Sequence, residues 1–237
     1  MTAKQIEYKL QQLGNPQKKT ILSSFFKSGK GEYGEGDIFI GVTVPAQRSL
    51  VKSVKELDIK EIQTLLQSPF HECRMTALLF LVEKFKRAKI QDEQKLIYQF
   101  YINNSAHINN WDLVDLSAPT IVGGFLKNCS KTELYQLVQS SNIWLQRIAI
   151  VSTITFIREG KFDDTLELSK ILLHHPHDLI QKAVGWILRE VGKRDFDMEY
   201  NFLAEAERYK TMPRTMLRYA IEKFPENIRK EFLLSKI

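Results

Sequence analysis

Only two cysteines, Cys73 and Cys129, occur in 237 residues, and neither belongs to a C-x-x-C pair. That excludes a disulfide framework or a cysteine-rich zinc site as the organising principle of the fold. Long hydrophobic runs are missing too. The longest nearly apolar stretch, Ile148 to Ile157, follows Arg147 and is too short to span a bilayer. The start, MTAKQIEYKL, has no apolar core of the signal-peptide kind, so a reducing cytoplasm is expected. Glycine and proline are sparse, at 11 and 7, and fall between apolar-periodic segments. Strand-like alternation is confined to residues 37–44 (DIFIGVTV), too little for a sheet. GKGEYGEG at 29–36 lacks the G-K-[ST] of a phosphate loop and is expected to be a flexible connection between early helices.

What is present is helix, charge and repetition. The formal net charge is +6, and residues 1–31 carry six lysines against one acid, Glu7. This favours a polyanionic partner, and the six lysines fit a phosphate-contacting arm or a solvated helix face equally well. Four segments resemble one another: HECRMTALLFLVEKF, WLQRIAIVSTITFI, IQKAVGWILREVGKR and PRTMLRYAIEKFP. Each sets a basic residue near the start of an apolar helix, at Arg74, Arg147, Lys182 and Arg214. A fifth, NNWDLVDLSAPTIVGGFL, puts Trp111 at that place. Separations of 37, 36, 35 and 32 residues suit helix–turn–helix repeats of the HEAT or armadillo kind. The expected fold is all-α, a single helical-repeat superhelix over 1–237 with a concave DNA-binding groove. Residues 1–31 would form basic N-terminal helices, 27–44 a glycine-rich connection, and about 60–237 the regular repeats.

One turn beyond the marked position stand Asp115 and Trp186. In the expected superhelix, two indoles, one carboxylate and several cations share one groove. Most helix-borne tryptophans are core, and Trp144, among Ile143, Leu145 and Ile148, is read so. Asp115 is read as buried mid-helix beside Val114 and Leu116, an odd choice for structure alone. Asp112 reads as a helix N-cap or first-turn acid, and Asn109 and Asn110 as caps or turn formers. Gly123 and Gly124 read as close-packing positions, and His71 and His107 as ordinary turn residues. His174, His175 and His177 sit in a proline-broken loop without the i, i+4 spacing of a helical metal pair.

At these residues the chain resembles the AlkD-like bacterial HEAT-repeat alkylpurine DNA glycosylases. The blocks that carry the resemblance are NNWDLVDLSAP at 109–119, SNIWLQRIAI at 141–150 and LIQKAVGWILRE at 179–190, with IFIGVTVPAQRSL at 38–50 a weaker match. The resemblance implies Asp115 as catalytic carboxylate, with Trp111 and Trp186 as active-site aromatics. It implies Arg147 as a phosphate contact, and the shared repeat position adds Arg74, Lys182 and Arg214 as assisting cations. It also implies duplex DNA with alkylated bases as substrate, no deep pocket for the base, and no metal or organic cofactor; monomeric action is expected. The departure from the family is KSGKGEYGEGD at 27–37.

The residue types suit that chemistry. Alkylation at N3 of adenine or N7 of guanine makes the base cationic and weakens its bond to deoxyribose. A carboxylate then opposes the charge developing on the sugar and holds the incoming water. Indole faces attract cations by about 0.5–2 kcal/mol. Two other functions share the fold: a non-catalytic binder of branched or distorted DNA, and a protein-binding scaffold. Neither needs a carboxylate between two indoles.

Overall fold

The computed structural model describes residues 1–237, which form helices and turns without a strand; Ile38 and Phe70 make an isolated bridge. The chain divides into two compact units, Met1–Ile121 and Val122–Ile237.

The first unit holds α1 (Ala3–Gln12), α2 (Pro16–Phe25), α3 (Val44–Ser53), α4 (Ile59–Leu66), α5 (His71–Arg87), α6 (Gln91–Asn103) and α7 (Trp111–Ala118). A capping box opens α1: Thr2 accepts from the Gln5 amide while the Gln5 side chain accepts from the Thr2 amide. Its inner stripe is Ala3, Ile6 and Leu10, set at helical spacing against α4 and α5. Removing Ile6 or Leu10 from water contributes about 2 kcal/mol each. By contrast α5 is buried around most of its circumference, from His71 through Val82, because α3, α4, α6 and α7 also pack on it. From Met75 to Val82 this helix is apolar on nearly all sides and must be surrounded.

The second unit holds α8 (Gly124–Leu126), α9 (Thr132–Val138), α10 (Ile143–Ser152), α11 (Ile154–Ile157), α12 (Asp163–Ile171), α13 (Asp178–Gly192), α14 (Phe196–Ala204), α15 (Arg208–Thr211), α16 (Arg214–Ala220) and α17 (Glu226–Leu233). Its centre is α13, which packs on α10, α12, α14 and α16. Ile180, Ala183, Val184, Ile187, Leu188 and Val191 supply its buried face. Gly185 lets α16 approach: a methyl group there would collide with the Met216 carbonyl. Gly123 does the same against the Ser152 carbonyl, as expected of a close-packing glycine.

Caps follow the sequence. Asn110 opens α7, Asn142 opens α10, and His177 opens α13 by accepting from the Leu179 amide at 3.2 Å. His177 thus serves as a helix cap. No helix is long and apolar enough to cross a membrane, and neither cysteine is in a disulfide.

Candidate functional site

α7 is short because Asn110 starts it and Pro119 interrupts its hydrogen-bond ladder; a π turn, Pro119–Gly123, follows. Its sequence WDLVDLSA buries Leu113, Val114, Ser117 and Ala118. The opposite face keeps Trp111, Asp112 and Asp115 half-buried. Asp115 therefore reaches solvent, and the expectation that it is buried is corrected. Four residues separate it from Trp111, so both side chains lie on one face, one turn apart.

The segment from Phe25 to Phe39 covers part of Trp111. Phe26 stacks on the indole with ring centres 5.1 Å apart, and Phe25, 61% exposed, meets it edge-on at 5.8 Å. Phe26 in turn stacks on Phe39, which stacks on His71. One indole face is thus occupied by protein, which leaves Trp111 at most the other for a cationic nucleotide.

Beneath this stack lies a set of buried charges. The His71 ring is 3% exposed and lies between two carboxylates, with Nδ1 2.9 Å from Asp37 and Nε2 2.9 Å from Asp112. Asp37 also pairs with Arg74 and accepts from the Asn110 amide group at 3.0 Å. Two acids face two bases, so the set closes near neutrality when His71 is protonated. Burial pulls the His71 imidazole down, but the hydrogen bonds and charges of Asp112 and Asp37 prevail and raise it to about 9. Burial pushes the Asp37 carboxyl up, and His71, Arg74 and Asn110 together hold it below its ordinary value.

A folded-state value above the unfolded one means that protonated His71 stabilises the first unit. That contribution is complete below about pH 6.5 and is lost as the pH rises through about 9, with a size on the order of 3 kcal/mol. Unfolding of residues 1–121, read by hydrogen exchange in denaturant, is expected to become easier across that window, and the trend there to vanish in His71→Gln. A slope that survives the substitution would assign it to another group. The Glu199 carboxyl, pushed up to about 9 by burial, gives a trend of the same sign in the second unit.

These contacts correct two expectations. Arg74 is 5% exposed, donates to the Ser68 and Pro69 carbonyls and pairs with Asp37, so its charge is committed inside the protein and not to DNA phosphates. His71 is a buried link, not a turn residue. The missed signal was the cluster His-Glu-Cys-Arg at the head of an otherwise apolar helix. The glycine-rich segment, read as a flexible connection, is a chain of hydrogen-bonded turns: Gly34 donates to the Lys27 carbonyl and Asp37 to that of Gly34, both at 3.0 Å.

In the second unit, Lys182 and Trp186 lie one turn apart on α13, both half-buried. The Lys182 ammonium lies 2.8 Å from Asp178 at the surface. Arg147, on α10, is 5% exposed and donates from Nη1 to the Leu179 carbonyl of α13 at 2.6 Å. Arg214 is exposed and donates to the Leu233 carbonyl. Trp144 is half-buried, so the core expectation for it is corrected. Its amide is taken by the Asn142 cap, which holds it in the first turn of α10, where the helix still borders solvent. The marked positions also differ in helical register. Arg147 and Lys182 are each the fifth residue of their helices, Arg74 the fourth, and Trp111 and Arg214 the first.

The family described as DNA alkylation repair enzyme matches residues 6–224. Among solved structures, the chain is similar to a protein described as a predicted DNA alkylation repair enzyme from Enterococcus faecalis. The TM-score is 0.68 at 18% identity, over 90% of this chain and 97% of that one. It is similar to a member of a family related to the HEAT-like repeat DNA glycosylases with affinity for branched DNA structures, with TM-score 0.57 and 15% identity, over 100% and 96%. AlkD2 from Streptococcus mutans matches with TM-score 0.54 and 18% identity, over 89% and 98%. No curated protein matches. At these identities the neighbours establish the fold, an all-α arrangement of HEAT-like repeats.

Proposed function

Because the chain belongs to the DNA alkylation repair enzyme family, we propose that it is a DNA glycosylase that hydrolyses the N-glycosidic bond of cationic alkylated purines, N3-methyladenine and N7-methylguanine, in duplex DNA. The observation that carries this reading is α7. It presents an indole and a carboxylate on one solvent-bordering face, over a fully buried apolar face that fixes the helix in the first unit. Asp115 opposes the charge that develops on the sugar and positions water. Trp111 offers one ring face to the cationic nucleotide. In the second unit, Trp186 is the second aromatic contact, and Lys182 and Arg214 hold phosphates, whereas Arg147, as buried as Arg74, is committed to the Leu179 carbonyl of α13. The protein acts as a monomer without a cofactor.

Incubation with methylated duplex DNA, followed by chromatography of the free bases, tests the proposal. Release of methylated purines is expected, and a lack of release at enzyme excess would refute it. The alternative is DNA binding without excision. It draws support from the neighbour with affinity for branched DNA, whose alignment spans this entire chain. Tight binding of a four-way junction together with no base release would favour that alternative.

Lys182 is the cleaner probe of phosphate contact. Its pair with Asp178 is at the surface, where such pairs contribute little. Lys182→Gln is expected to weaken duplex binding and to reduce the slope of log K against log salt by about 0.9, the value for one phosphate contact. A parallel salt dependence would show that Lys182 touches none. Arg147→Ala does not test phosphate contact, because Arg147 is buried and its loss strips the Leu179 carbonyl of a donor.

A further inference from the structure

We infer that Asp37, acting with His71, is a positioning residue that sets the rotation of α7 and hence the direction in which Asp115 and Trp111 point. Two independent routes lead from this one buried carboxylate to the head of the helix. In the first, Asp37 accepts from the Asn110 side chain, and Asn110 accepts from the Trp111 amide at 2.8 Å as the cap of α7. In the second, Asp37 holds one nitrogen of His71 while the other nitrogen holds Asp112, the second residue of α7. The routes meet α7 at two points of its first turn. The buried face of Leu113, Val114, Ser117 and Ala118 seats α7, and the two grips at its head oppose rotation of the first turn about the axis, where one residue position is about 100°. Asp115 lies one turn further on, so its carboxyl would swing off any substrate with the helix.

Asp37 is itself firmly placed. Its other oxygen pairs with Arg74. Its neighbour Ile38 donates to the Pro69 carbonyl at 3.4 Å and accepts from the His71 amide at 2.9 Å. The residue ends the glycine-rich segment 27–37. That segment therefore delivers an anchor to α7. Asp37 touches neither DNA nor the reacting atoms in this scheme; it acts through Asn110 and His71. The expected effect on rate rests on Asp115 being the catalytic carboxylate, whereas the anchoring of α7 does not.

The test uses the full chain and three variants, Asp37→Asn, His71→Gln and Asp112→Asn. Asp112 is the least buried of the three and the least able to unfold the unit. Amide hydrogen exchange over residues 108–118 is expected to quicken about tenfold or more in each variant, with residues 122–237 unchanged. Single-turnover release of N7-methylguanine is expected to fall about 30- to 100-fold, as for a displacement of about 1 Å, while duplex affinity stays within about threefold. His71→Gln combined with Asp112→Asn should be no slower than His71→Gln alone, since both break one chain of contacts. Unchanged exchange over 108–118 in all three variants would overturn the inference. So would faster exchange spread evenly over residues 1–121 in all three, or faster exchange at α7 with wild-type release in a protein that Asp115→Asn inactivates. If the unaltered protein releases no base, the glycosylase reading fails, and the exchange pattern still decides the anchoring.

Discussion

Asp115→Asn is expected to cut single-turnover release of N7-methylguanine by about a thousandfold, while affinity for the same duplex stays within a factor of about three. The argument starts from the leaving group. An alkylated purine departs as a neutral base and needs little protonation, so the barrier lies in the cationic sugar and the water that attacks it. A negative charge beside that sugar lowers the barrier, and asparagine keeps the shape of aspartate while losing the charge. General-base and preorganised electrostatic effects each supply about two to three orders of magnitude. A loss near a thousandfold corresponds to about 4 kcal/mol in the barrier. Binding should be nearly indifferent, because a carboxylate repels DNA phosphates and its neutralisation removes no favourable contact with the backbone. Since Asp115 is half-buried on a face of α7 that borders solvent, the substitution leaves no new void in the packing. Excision within a factor of about ten of the wild-type rate would remove Asp115 from the mechanism.

Glu72→Ala is expected to be the most damaging single substitution to the first unit, with a cost of about 3–5 kcal/mol. The Glu72 carboxylate is 1% exposed and accepts the backbone N–H groups of Ile40 at 2.9 Å, Gly41 at 2.7 Å and Val42 at 3.2 Å. Three consecutive donors are thereby satisfied in a stretch that belongs to no sheet and so has no ladder to serve them. Alanine would strand all three, and a buried unmet donor costs about 1–3 kcal/mol. Residues 38–42 follow directly on Asp37, so loosening them should also release the anchor of α7 and lower base release. Unfolding in urea, read through hydrogen exchange in residues 1–121, checks the prediction. Glu72→Gln should fall between wild type and alanine, because its amide keeps one acceptor oxygen. A loss below about 1 kcal/mol for alanine would mean that water replaces the carboxylate at little cost.

The sequence went far on local matters. Asn110 before an apolar helix marked a cap, and Trp111 and Asp115 at a spacing of four had to share a face once a helix formed. Gly123 among apolar residues marked a close contact, and the structure sets the Ser152 carbonyl against it. Helix type, helix order and the recurrence of helix pairs are also local quantities, because periodicity, capping and turn chemistry act over a few residues.

Charge pairing failed for the opposite reason. Arg74 carries the same local signature as Lys182, a cation in the first turns of an apolar helix, yet one is buried against Asp37 and the other borders solvent. The difference is a partner 37 residues away, delivered by the glycine-rich turns. His71 is a similar case, since both its carboxylates come from distant segments. Trp144 has apolar neighbours in sequence but sits at the solvent edge of α10.

From its amino acids alone, then, this chain dictates helices, their repetition, and an indole and an acid side by side on α7. Folding in three dimensions decides which cations stay at the surface and which are neutralised inside. That choice depends on the cost of burying a charge, which falls only where a distant loop brings the opposite charge to it.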